Sequence, residues 1–234
     1  MLLILLGVAA GALTTVAGLG GGLVVLLLLS AIEGPKAALA ISAAALLVGN
    51  THRLFMLREK LHRPTALRVV LGAFPGAILG GLTAAWLPDR VLSLLIAAVV
   101  GLALIRPLLQ KAPVVPQWAL APAGLGIGVL TGNAGGSGLL VAPLLLSSGL
   151  SGGSYIATSA AVAVGMHAGR LGSYISEGLM SPDRAVDAAI LAVGLPLGNL
   201  VGERLSHHLS DQRSAQINYG AMALCGALAL FGIA

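Results

Sequence analysis

The chain has 234 residues, of which 57% are hydrophobic and 9% charged, and its formal net charge is +5. A soluble domain carries roughly 25% charged residues, so this composition excludes a chain that covers its surface with water-facing groups. The basic residues concentrate in residues 53–68, between two apolar stretches, which indicates membrane topology and argues against a nucleic-acid partner. The single cysteine, Cys225, excludes a disulfide within the chain.

The chain begins with an apolar run, residues 1–6, without a basic segment or a clear cleavage site, so we expect a retained membrane segment rather than a signal peptide. Six segments have about the 20 apolar residues that a helix needs to cross a bilayer. They are residues 37–57, 66–87, 91–109, 154–175, 185–202 and 215–234. We therefore predict an all-α, multi-pass membrane protein, located in the cell inner (cytoplasmic) membrane and in contact with the lipid bilayer.

Two further apolar regions, residues 1–30 and 117–150, are longer than one span and are interrupted by glycine clusters. Each glycine costs a helix about 1 kcal/mol against alanine, so a cluster breaks it. The clusters are Gly18-Leu19-Gly20-Gly21-Gly22 and Gly135-Gly136-Ser137-Gly138. Irregular backbone at membrane depth must be buried in protein or line a cavity. We expect the two breaks to face each other inside the protein.

An ordered series of matches indicates an internal repeat. Ala40-Ile41-Ser42-Ala43-Ala44 aligns with Ala157-Thr158-Ser159-Ala160-Ala161 at an offset of 117, and the same offset pairs Asn50 with His167 and Arg53 with Arg170. We predict one membrane transporter domain, residues 1–234, with a first repeat over approximately 1–111 and a second over approximately 117–234. Each half would contain a glycine-broken or re-entrant helix pair and three transmembrane helices.

The orientation of the two halves depends on the breaks. If each broken region crosses the bilayer once, the chain has eight spans and the halves are parallel. If each folds back as a re-entrant hairpin, each half contributes an odd number of spans and the halves are inverted. Broken helices in inverted repeats are a common plan of secondary transporters, so we favour inverted repeats.

The helix that follows each break presents free N–H groups and the positive end of its dipole, which suits an anion. This predicts an anion site built on dipoles and amides, without a buried cation; close packing of small residues is the alternative explanation of the breaks. The predicted site residues at the breaks are Gly20, Gly21, Gly22, Asn133, Gly135, Gly136, Ser137 and Gly138.

Polar groups inside apolar segments usually face the interior of a helix bundle. Asn50 and His167 would donate hydrogen bonds to an oxyanion, or alternatively would only join helices. Arg53 and Arg170 lie one turn further on and would guide an anion to the site. Snorkelling at the membrane boundary is the other interpretation of both arginines, and it is the one that we favour from the sequence.

Two series of glycines at four-residue spacing predict close helix packing, and they could also support a homodimer. They are Gly72, Gly76 and Gly80, and Gly194, Gly198 and Gly202. No enzyme motif is recognisable, and we expect neither a cofactor nor a metal, since His207-His208 has no carboxylate or cysteine companions.

The stretch from Gly135 to Leu144, with a glycine cluster followed by apolar residues and then Pro143-Leu144, resembles the TauE/SafE family of sulfite exporters and sulfonate permeases. The first half keeps the glycines but has Leu27 where Pro143 stands in the second half. The resemblance implies a secondary transporter for sulfite or a small organosulfonate anion. The residues alone leave open a permease for a different, neutral solute, a channel, a scaffold, or an intramembrane enzyme that pairs Ser137 with His167.

Overall fold

A computed structural model describes residues 1–17, 20–105 and 115–206, together with His208, Arg213, Gln216 and Gly220. These residues form nine α-helices and two short 3-10 turns, with no strand among them, so the predicted all-α class is confirmed. The helices are α1 (Leu2–Ala17), α2 (Gly21–Glu33), α3 (Pro35–Met56), α4 (Arg63–Trp86), α5 (Asp89–Ile105), α6 (Leu120–Ala134), α7 (Ser137–Ser147), α8 (Gly152–Ser176) and α9 (Pro182–Ser206). Most of the predicted segment 215–234, and most of the residues between the two predicted repeats, lie outside the described residues.

Three of the described helices, α3, α4 and α9, are long and apolar enough to cross a membrane. Both predicted helix breaks are present. The first separates α1 from α2, where Gly20 has a φ of 98°; the second separates α6 from α7, where Gly135 and Gly136 have φ values of 67° and 71°. Because L-residues avoid this left-handed region, glycine is required at both breaks.

Glycines let two pairs of helices pack backbone against backbone. A Cβ added at Gly72, Gly76 or Gly80 of α4 would collide with the α6 carbonyl oxygens of Ala121, Leu125 and Val129 respectively. A Cβ at Gly194, Gly198 or Gly202 of α9 would likewise collide with the α1 carbonyl oxygens of Ile4, Val8 and Ala12. The predicted close packing at both glycine series is therefore confirmed. Both series are used within the chain, so they are not available to a homodimer.

The order of these contacts also gives the relative directions of the helices. Residue numbers rise together along both interfaces, so α4 runs parallel to α6 and α1 runs parallel to α9. The same holds for α8 and α4, since Gly165 lies against Val70 and Gly169 lies against the carbonyl oxygen of Phe74.

Helices α3 and α8 pack against each other. Both contain many small, buried residues, for example Ala38 and Ala40 in α3 and Ala157 and Ala160 in α8. These two helices also carry Arg53 and Arg170.

Candidate functional site

A cavity of about 30 Å³ lies where the two helix breaks meet. Because a single water needs at least about 10–15 Å³, the cavity has room for only a few atoms. It collects all but two of the predicted site residues. Those that line it are Gly20, Gly22, Asn50, Arg53, Gly135, Gly136, Ser137, Gly138, His167 and Arg170.

Both helices that follow a break begin at this cavity. Gly20 precedes α2 and Gly136 precedes α7, and both glycines are part of the lining. The first N–H groups of a helix have no acceptor within the helix. Gly22, Ser137 and Gly138, in the first turns of these two helices, are also lining residues, so the cavity lies near the positive ends of two helix dipoles.

Arg53, on α3, is buried, with 3% of its surface exposed. Its Nη1 donates to the carbonyl oxygen of Thr14 at 3.1 Å, near the end of α1, and its Nη2 donates to Asn50 Oδ1 at 2.5 Å. Among the described residues, its Nε has no hydrogen-bond partner. The C-terminal end of α1 carries partial negative charge, so this contact holds the guanidinium in place without a carboxylate.

Arg170 repeats this arrangement from α8, with 1% of its surface exposed. Its Nη1 donates to the carbonyl oxygen of Thr131 near the end of α6, at 3.4 Å, and its Nη2 donates to Ser42 Oγ at 3.4 Å. Its Nε also lacks a hydrogen-bond partner in the part of the chain that the structure describes. Thr14 and Thr131 are separated by 117 residues, as are Arg53 and Arg170. Each half of the chain thus places one arginine on the helix end of its own break.

The burial of these arginines corrects two expectations. Snorkelling at the membrane boundary is wrong for both, because neither guanidinium reaches the surface. The expected absence of a buried cation is also wrong. No residue of the described lining is acidic, so the cavity holds two cations without an opposing carboxylate.

Asn50 and His167 occupy equivalent positions but make different contacts. Asn50 Nδ2 donates to the Leu46 carbonyl oxygen, while its Oδ1 accepts from Arg53. His167 Nε2 lies 3.3 Å from Ser137 Oγ, and its Nδ1 is buried without a partner among the described residues. The second half-site therefore offers a hydroxyl–imidazole pair where the first half-site has an amide.

Gly21 and Asn133, which were predicted as site residues, lie outside the cavity lining. A Cβ at Gly21 would collide with the carbonyl oxygen of Ala10, so this glycine allows α2 to start close against α1. Asn133 Oδ1 accepts from Thr83 Oγ1 at 3.1 Å, and its Nδ2 donates to the Val129 carbonyl oxygen. Asn133 therefore joins α6 to α4.

Sequence reasoning did not assign Thr14 to the cavity lining. It also did not assign the leucines that line the cavity, Leu23, Leu26, Leu46 and Leu139. The offset of 117 that pairs Thr14 with Thr131 was a usable signal for the threonine. The leucines carry no such signal, because leucine is common throughout the apolar segments.

These features define a class: a multi-pass helical membrane protein with a small, positively charged cavity between two broken helices. The chain matches the model of the family described as "Sulfite exporter TauE/SafE" over residues 3–230. It therefore belongs to this family of membrane transporters. No curated protein and no solved structure matches the chain.

Proposed function

We propose that this protein is a secondary transporter of the cytoplasmic membrane that carries sulfite or a small organosulfonate anion. The substrate would bind in the cavity between the two breaks. The observation that carries the proposal is the presence of two buried arginines and two helix N-termini around one cavity.

Each group in the lining has a physical role toward an oxyanion. The N–H groups of Gly22, Ser137 and Gly138 would donate to its oxygens, and the guanidiniums of Arg53 and Arg170 would neutralise its charge. Burying a charge is costly unless it is paired. Both the anion and the arginines lose water in this cavity, so each would supply the counter-charge that the other lacks.

We also propose that the two halves are inverted repeats. The support comes from helix directions: α4, α6 and α8 run parallel to one another, and α1 runs parallel to α9. Only residues 177–181 join α8 to α9, and a connection this short favours antiparallel neighbours. Under that arrangement α1 and its equivalent α6 point in opposite directions. A site at the centre of inverted repeats suits alternating access from the two membrane faces.

The contact between Ser137 and His167 raises the alternative of an intramembrane hydrolase. A serine nucleophile needs a histidine base whose second nitrogen is oriented by a third group. The described residues offer no hydrogen-bond partner to His167 Nδ1, and none of those that line the cavity is acidic. The contact therefore supports a role in hydrogen bonding to a solute more than a catalytic role.

Counterflow in proteoliposomes tests the proposal. Vesicles preloaded with unlabelled sulfite should accumulate labelled sulfite transiently, because a carrier exchanges its substrate and a channel does not. Arg170→Gln should abolish accumulation, whereas the exposed Arg63→Gln should retain it. Competition by sulfonates but not by neutral solutes would separate this function from that of a neutral-solute permease. Normal counterflow by Arg170→Gln would overturn the proposed site.

A further inference from the structure

Building on the proposed function, we infer that the cavity selects a compact oxyanion with two negative charges. Sulfite would then be carried as its dianion rather than as hydrogensulfite. Sulfonates with an organic tail would bind more weakly in this small cavity.

The charge of the lining carries the first part of this inference. Arg53 and Arg170 are both buried and both line the cavity, and the described lining contains no carboxylate. The repeat explains why there are two cations: each half supplies one arginine from an equivalent position. A monoanion would leave one buried cation without a counter-charge, whereas a dianion neutralises both.

The described residues do not use every donor of the two arginines. Each guanidinium donates to a helix-end carbonyl oxygen through Nη1 and to one uncharged side chain through Nη2. Each also has a buried Nε for which the described part of the chain supplies no acceptor. Buried donors of this kind normally have partners. An oxyanion in the cavity would bring acceptor oxygens close to both guanidiniums.

The size of the cavity supports the second part of the inference, the weaker binding of sulfonates with an organic tail. About 30 Å³ accommodates a few heavy atoms, and Leu23, Leu26, Leu46 and Leu139 are part of the lining around this space. These side chains offer no polar partner for a carboxylate or an amine at the end of a tail. An organosulfonate would have to displace them, whereas a compact oxyanion would not.

Two probe anions, each compared with sulfite, separate the effect of charge on binding from the effect of size. Chlorate has the pyramidal shape and electron count of sulfite but one negative charge, and sulfoacetate has two negative charges but a tail. Dissociation constants would be obtained from the shift of the unfolding temperature of the purified full chain, above neutral pH, where sulfite is mainly a dianion. We expect chlorate to bind at least roughly tenfold more weakly than sulfite, since its single charge leaves one buried arginine without a counter-charge. Sulfoacetate should also bind more weakly than sulfite.

Variants test whether the arginines cause the preference. Arg53→Gln should reduce the ratio of chlorate to sulfite dissociation constants, and Arg53→Lys, which keeps the charge, should largely preserve it. Arg63→Gln, on the exposed start of α4, should leave the ratio unchanged. Equal affinities for chlorate and sulfite, or for sulfoacetate and sulfite, in the wild-type protein would overturn the inference and leave the proposed transport function standing. No binding or counterflow of any sulfur anion would overturn both.

Discussion

At the scale of single residues, the asparagines of the apolar helices have two kinds of surroundings. Asn50 lies in the cavity lining and accepts a hydrogen bond from Arg53. Asn199 lies between helices: its Oδ1 accepts from Thr15 Oγ1 at 2.9 Å and its Nδ2 donates to the Gly49 carbonyl oxygen at 2.8 Å. Asn199 therefore fastens α9 to α1 and α3, while Asn50 positions a cation.

This difference predicts opposite effects of two alanine substitutions. Asn199→Ala should lower the free energy of unfolding by about 1–3 kcal/mol, because buried groups lose their partners, and it should leave the sulfite dissociation constant unchanged. Asn50→Ala should weaken sulfite binding severalfold, because Arg53 loses its nearest acceptor. Thermal unfolding at a series of sulfite concentrations measures both effects. Weaker sulfite binding in Asn199→Ala would contradict this division.

The two arginines show where sequence reasoning reached its limit. The offset of 117 identified Arg53 and Arg170 as equivalent, and hydropathy placed both near the ends of apolar segments. Burial depends on the neighbouring chain: the helix-end carbonyl oxygens of Thr14 and Thr131 receive the guanidiniums. Hydropathy along the chain does not contain that tertiary contact, so the sequence could not distinguish a boundary arginine from a cavity arginine.

At the scale of helices, the breaks combine backbone conformation with close approach. Gly136 has a φ of 71°, and a Cβ added there would lie 2.7 Å from Val99 Cγ1 and 3.1 Å from Leu23 Cδ2. Gly149, after α7, has a φ of 81° but open space around its Cα. The two glycines share the backbone requirement but differ in their surroundings.

This contrast provides a matched pair of variants. Gly136→Ala and Gly149→Ala should both incur about 1–2 kcal/mol of backbone strain, since both place an L-residue at a left-handed φ. Only Gly136→Ala should also weaken sulfite binding, because the added methyl group displaces Val99 or Leu23 beside the cavity. Titration of both folded variants with sulfite makes the comparison, and an equal loss of affinity in the two would count against a local effect at the break.

The close packing of the parallel helix pairs also depends on glycine. Gly76→Val should separate α4 from α6, because its side chain would occupy the position of the Leu125 carbonyl oxygen; overpacking of this kind costs about 1–3 kcal/mol or more. Gly126→Val, on the exposed face of α6 with open space around it, is the control. We expect a lower unfolding temperature only for Gly76→Val. Equal unfolding temperatures would show that the close contact is unimportant for stability.

At the scale of the whole molecule, the relation between the halves determines which loops share a membrane face. The basic loop between α3 and α4 is expected in the cytoplasm. If the halves are inverted, the loop between α8 and α9 lies on the opposite face. If the halves are parallel, both loops lie on the same face.

Cysteine labelling distinguishes these arrangements. In a Cys225→Ser background, which removes the single native cysteine, Glu59→Cys and Asp183→Cys place one exposed thiol near each loop. A membrane-impermeant thiol reagent added to intact cells should label Asp183→Cys and spare Glu59→Cys until the membrane is opened. Identical labelling of the two would contradict inverted repeats.

Much of this architecture was predictable because it depends on short stretches of sequence. Glycine clusters such as Gly135-Gly136 predicted the helix breaks, and four-residue glycine spacing, as at Gly72 and Gly76, predicted close packing. The partners of those glycines were not predictable, since nothing in the sequence of α4 specifies α6 as its neighbour. The position of a cavity at the breaks was predictable for the same reason. The contacts of Asn133 were not, because this residue lies only two residues from Gly135 but bonds to Thr83 of α4.

The central claim is that one oxyanion binds between the two helix breaks, in contact with both arginines. The most direct test is an experimental structure of the protein determined with saturating sulfite. We predict density for one pyramidal anion in the cavity, within hydrogen-bond distance of Arg53, Arg170 and the N–H groups at the start of α7. Sulfite bound elsewhere, or an empty cavity at saturating sulfite, would contradict the account.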